Sequence, residues 1–163
     1  MPAPETDPAS RAPLGRGTVR PLLICPDPVL RRICEPAGYL GPDALRALAA
    51  DLLATLLAAG GLAISAPQIG VPRRLVLLLE AGEEGPLVLC DPELLAVRGA
   101  PVARAEQCLC WPGGEAAPVR VEDVSIGWYD AAGIHCRRDM AGAQARLVQQ
   151  QIDILGGRFI GGF

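Results

Sequence analysis

Hydrophobic residues recur at helical spacing in two stretches of the chain and fall in short runs between them. Over residues 43–59, Leu45, Leu48, Leu52, Leu53, Leu56 and Leu57 repeat at intervals of three and four and stop at Gly60 and Gly61, so the spacing predicts an amphipathic helix. A second helix is predicted over about 141–155, ending at Gly156 and Gly157. On it Val148, Ile152 and Leu155 form one stripe, the expected core face. Leu147, Gln150, Gln151 and Ile154 form the next, and its two glutamines predict more polar surroundings or a cleft. Short apolar runs at 74–79 and 86–90 flank the turn-rich AGEEG and read as strands. A third strand is expected over 102–111 and a fourth over 119–130, turning at Ala131, Ala132 and Gly133 into 134–138. Residues 21–36 read as an extended segment punctuated by proline. The pattern is α+β: small antiparallel sheets packed around an N-terminal and a C-terminal helix.

Composition adds limits. Half the residues are hydrophobic and a fifth charged, the balance of a globular domain. Residues 1–20, rich in Pro, Ala and Arg, are expected to be a disordered tail before one domain at 21–163. A net charge of −3 offers no basic patch for nucleic acid or a membrane surface. The most apolar stretch, 52–66, is too short to cross a bilayer and is broken by glycine. The N-terminus lacks the apolar core of a secretory signal, and the six cysteines include no CxxC pair. Free thiols in a reducing cytoplasm are therefore expected, without a structural zinc site. All 15 basic residues are Arg, and Lys and Asn are absent, as a GC-rich bacterial gene would give.

Three segments carry a resemblance. Residues 61–68 read GLAISAPQ, 106–110 read EQCLC, and 149–157 read QQQIDILGG after ARLV. In this order and spacing they resemble the three signature motifs of the peptide deformylase family, approximately G-φ-G-φ-A-A-P-Q, E-G-C-L-S and Q-H-E-φ-D-H-L-x-G. PDPVLRR near the start and VLCDPEL are lesser echoes, and the similarity spans about 21–160. The resemblance implies a peptide deformylase-like fold. It also implies a hydrolase that removes the formyl group from N-terminal formyl-methionine, using iron, zinc or nickel. The metal would be held by a motif-two Cys and two His one helical turn apart, with the Glu between them handling the proton.

Residue by residue, the helix departs from that pattern. Cys108 stands at the Cys ligand, but Gln150 and Ile154 stand at the two His and Gln151 at the catalytic Glu. An amide oxygen is a poor ligand for such a metal, isoleucine is none, and glutamine is no general base. No metal cofactor and no metal-dependent deformylation are expected. The lone His135 is expected as a partly exposed strand residue. Gln68 matches the glutamine that, with the backbone N–H at the position of Leu109, stabilises the oxyanion in the family; it would also suit a role satisfying its own loop. Glu106 and Asp153 match groups that brace the ligands, and here need new partners. Gly61, Ala63 and Ser65 line the expected substrate groove with Gln150 and Ile154, and Ala63 and Ser65 add bulk or polarity to it. Cys110 replaces the motif-two serine and, on a strand, would point the same way as Cys108, as a soft-metal or redox pair or as two buried thiols.

Three functions stay open. One is a non-catalytic homologue whose cleft binds a small molecule, a peptide or a protein partner. Another is a repurposed, metal-independent enzyme of specialised metabolism, acting on an acyl, amide or carbonyl group with Cys108, Gln68 and Leu109. The last is residual deformylation with a site rebuilt from Cys108, Cys110 and Glu106. The chain stops at Phe163, so the C-terminal helix that tethers some deformylases to the ribosome is not expected.

Overall fold

The computed structural model describes residues 14–162. Helix α1 (Pro42–Ala59) starts on a proline in its first turn and ends at Gly60, whose φ of 70° gives the left-handed cap that its leucine spacing required. Strands β1 (Ala63–Ser65), β2 (Leu75–Leu78), β3 (Leu87–Arg98), β6 (Asp123–Tyr129) and β7 (His135–Ala141) form an antiparallel sheet in the order β1-β2-β3-β6-β7. A two-stranded ladder pairs β4 (Val102–Ala103) with β5 (Val119–Arg120). Helix α2 (Gly142–Leu155) follows β7.

The apolar runs of β2 and β3 do not alternate with polar residues because both faces of the sheet there are covered. Val76, Leu78, Leu87 and Leu89 pack with Val148 and Leu155 of α2; Leu75, Leu77, Val88 and Cys90 pack with Leu52 and Leu56 of α1. Each such leucine contributes roughly 1.5–3 kcal/mol by leaving water. β3 continues beyond the expected end at residue 90. Its pairing with β6 shifts register between Cys90 and Glu93, where Asp91 takes a φ of 50° and Pro92 has no N–H to give.

Two expectations change. Residues 1–13 of the expected tail lie outside the described residues, but 14–20 are docked on α1. The Thr18 N–H reaches Asp51 Oδ1 (2.8 Å), the Arg20 N–H reaches Thr55 Oγ1 (2.9 Å), and the Arg20 guanidinium pairs with Asp51 (3.0 Å). Gly17 permits this approach, since a Cβ there would lie 2.0 Å from the Ala50 carbonyl oxygen. The strand expected over 102–111 is only two residues long. Arg146 of α2 donates to the carbonyls of Val102, Arg104 and Pro118, taking acceptors that a longer ladder would use. Among the described residues no helix is long and apolar enough to cross a membrane.

Candidate functional site

Three pieces of chain converge beside the edge strand β1. Residues 66–69 form a 3-10 turn after β1 (Ala66–Ile69), closed by a reciprocal cap in which the Ser65 N–H donates to Gln68 Oε1 (2.8 Å). The other end of that amide, Gln68 Nε2, donates to Cys108 Sγ at 3.5 Å. Cys108 and Cys110 do not lie on a strand, as expected, but in a tight turn where the Trp111 N–H donates to the Cys108 carbonyl (2.9 Å). The turn nevertheless brings their Sγ atoms to 2.8 Å, and Cys25, which the sequence reading did not connect with them, brings its Sγ to 3.5 Å from that of Cys110.

The thiols differ electrostatically. The Cys110 hydrogen bond is the main reason that the Cys108 thiol is held below its ordinary range, against its burial and with help from Gln68. Sharing that one proton pushes Cys110 strongly up, and burial adds to it. Burial alone would raise Cys108; the hydrogen bond with Cys110 reverses the direction. Burial raises Cys25.

Helix α2 presents its glutamine stripe to this turn, and both amides are buried. Gln150 Nε2 donates to the Gln107 carbonyl (2.8 Å) and to Glu106 Oε1 (3.3 Å). Gln151 Nε2 donates to Gln150 Oε1 (3.3 Å), leaving Gln151 Oε1 buried without a partner among the described residues. Glu106 and Asp153 do find a partner. Arg120 reaches Glu106 with Nε (2.8 Å) and Nη2 (3.1 Å) and Asp153 with Nη1 (2.8 Å), while Arg146 approaches Glu106 at 3.0 Å. Burial alone would lower the Arg120 pKa, but these carboxylates outweigh it and raise it.

The cleft is a cavity of about 600 Å³ lined by Gly61, Ala63, Cys108, Leu109, Gln150 and Gln151, among others. Gly61 leaves room for Leu109, whose methyls would sit 3.1–3.2 Å from a Cβ at that position. Ser65 and Gln68 are fully buried behind it, and Ile154 packs with Leu30, Cys108 and Cys110 rather than lining the opening. His135 is exposed on β7 and meets Tyr129 edge-on, away from the cleft. A second cavity of about 720 Å³ adjoins the first through Leu62, Gln107, Leu147 and Gln150, and brings Arg104, Glu122 and Arg146 beside it. Nothing in the sequence pattern marks Cys25, Arg120 or Arg146 as members of one site, since their partners lie 14 to 85 residues away.

A family model for polypeptide deformylase matches residues 19–161. The chain belongs to that family. It is 35% identical over 143 residues to a peptide deformylase of Rhizobium meliloti, covering 86% of this chain and 82% of the relative. A Bradyrhizobium diazoefficiens protein described as peptide deformylase-like is 36% identical over 144 residues, with 87% and 83% covered. The crystal structure of the Thermus thermophilus peptide deformylase superposes with a TM-score of 0.80 at 32% identity, covering 88% of this chain and 84% of that one. The metal that the family resemblance implies does not fit the donors present. Gln150 turns its N–H atoms, not its oxygen, toward Glu106 and the Gln107 carbonyl beside Cys108, and Ile154 has no donor atom. The Cys108 sulfur already accepts the Gln68 amide N–H and shares a hydrogen bond with Cys110. Among the described residues no three His, Cys, Asp or Glu side chains are grouped to hold a metal ion.

Proposed function

We propose that this deformylase-family protein does not carry out metal-dependent deformylation and keeps the cleft as a binding site for a peptide or small molecule. One observation carries the reading. The amides that replace a His and the Glu are bonded to each other and to the Gln107 backbone, with Gln151 Oε1 alone left unpaired among the described residues, so a hydrogen-bonded amide pair stands where the ligands would be. β1 lies at the sheet's edge and Ala63 lines the cleft, so an extended peptide could add to that edge at Ala63, the Ser65 N–H being taken by Gln68. The cytoplasm is the compartment this reading implies.

The test is metal analysis and turnover on protein purified without air. Iron, zinc and nickel are expected at trace level, with formate release from an N-formyl-methionyl peptide no faster than in buffer; stoichiometric metal with turnover overturns the proposal. In the triple variant Gln150→His, Gln151→Glu, Ile154→His, metal binding is expected to return.

A second reading has its own support. Cys108 lines the cleft, its thiol is held low, and Gln68 Nε2 stands beside it, an arrangement suited to metal-independent attack on an acyl, amide or carbonyl carbon with the Leu109 N–H as a further donor. A covalent Cys108 adduct with a cognate acyl compound, absent in Cys108→Ala, separates it from simple binding.

A further inference from the structure

Cys25, Cys108 and Cys110 are free thiols from two distant segments, yet their sulfur atoms form a continuous row. Cys110 Sγ is central, 2.8 Å from Cys108 Sγ and 3.5 Å from Cys25 Sγ. The backbone holds both neighbours in place: the Cys25 N–H donates to the Cys110 carbonyl (2.8 Å), and the Trp111 N–H closes the turn onto Cys108. The row is also graded by access. Cys108, itself 8% exposed, is the one of the three that lines the cleft, Cys110 is buried behind it at 1% exposure, and Cys25 is half-buried. Cys34, Cys90 and Cys136 belong to other parts of the core.

We infer that Cys108, Cys110 and Cys25 form a thiol relay that reduces a hydroperoxide entering the cleft and stores the oxidation as a disulfide. Neither reading of the cleft's ligand is needed for it. Cys108 is the one cysteine of the row that lines the cleft, and a resolving thiol already touches it, which is the arrangement a peroxide-reducing cysteine needs. In the first step the Cys108 sulfur attacks the outer oxygen of ROOH. An S–O bond forms, the O–O bond breaks, and ROH leaves with the thiol proton. The Cys110 sulfur then attacks Cys108: an S–S bond forms, the S–O bond breaks, and hydroxide leaves with the Cys110 proton as water. The two thiols lose two electrons and the peroxide gains them. Attack of Cys25 on Cys110 next forms the 25–110 bridge and releases Cys108 with the Cys25 proton, freeing the cleft thiol. Return to the start requires an external dithiol, which is oxidised in turn.

The experiment is thiol counting and non-reducing peptide mapping of the reduced full chain after one equivalent of hydrogen peroxide. The expected result is loss of two of the six thiols, recovered as a 108–110 or 25–110 bridge, at a rate at least about tenfold above glutathione. Dithiothreitol should restore all six. In Cys110→Ser, which installs the family's own motif-two residue, one thiol should be lost and Cys108 trapped by dimedone as sulfenic acid. In Cys25→Ser the bridge should stay at 108–110. Peroxide consumption that leaves every thiol titratable, bridges confined to other cysteines, or wild-type Cys108 passing to sulfinic acid without a bridge would each overturn the relay. Wild-type mapping decides this even if a variant fails to fold.

Discussion

Arg120 holds two carboxylates from different elements while itself 6% exposed, and that makes it the most consequential single charge beside the cleft. Glu106 is nearly as buried as its partner, so removing the guanidinium leaves that carboxylate with only Arg146 and Gln150 to offset its burial. Arg120→Ala is expected to destabilise the fold by about 3–5 kcal/mol, read as a lower urea midpoint at pH 7. Replacing Arg120 and Glu106 together with apolar residues of similar volume should recover only part of that loss, because buried Arg146 then keeps only the more distant Glu122 as a carboxylate partner. Glu106 and Asp153 were legible as positions needing partners; Arg120 was not, because an arginine in PVRVED carries no local sign of what it will meet.

At the level of elements, the segment before α1 matters more than its composition suggests. Gly17 touches the α1 backbone so closely that any side chain must push the segment away. Gly17→Ala is expected to cost about 1–3 kcal/mol, seen as a lower Tm, with the Asp51 contacts of Thr18 and Arg20 weakened together. The helices themselves were legible because leucine spacing and terminal glycines agree. The strand expected over 102–111 was not, because its apolar and polar order is compatible with a ladder until an arginine from α2 claims the carbonyls. The glutamine stripe of α2 predicts more polar surroundings or a cleft, and Gln150 and Gln151 do line a cleft.

Across the whole molecule, two buried thiols set an alkaline limit, one on each side of the sheet. Burial pushes Cys34 up to about 11 and Cys90 up to about 12, whereas in an unfolded chain both titrate near 9.0. Their contribution to stability is therefore complete below pH 9 and declines as pH rises through 11 to 12, since the unfolded state releases its protons first. Urea midpoints measured from pH 8 to pH 11 should fall, and the double variant Cys34→Ala, Cys90→Ala should show a shallower fall from its own lower start. The α+β class and the family motifs could be read directly from the chain, because they depend on local spacing. The thiol row, the Arg120 bridge and the second cavity depend on which distant segments meet, and spacing does not encode that. β3 has one more consequence. Residues 87–90 pair with β2 and residues 93–98 with β6, so the cleft-bearing edge and the rest of the sheet share one continuous backbone through a fully buried run. Opening the β1 edge would uncover the fully buried β2 beneath it, so local opening there is costly. A ligand seated in the cleft would thus stabilise the entire domain by mass action and report itself as a rise in its melting temperature, whatever its chemistry.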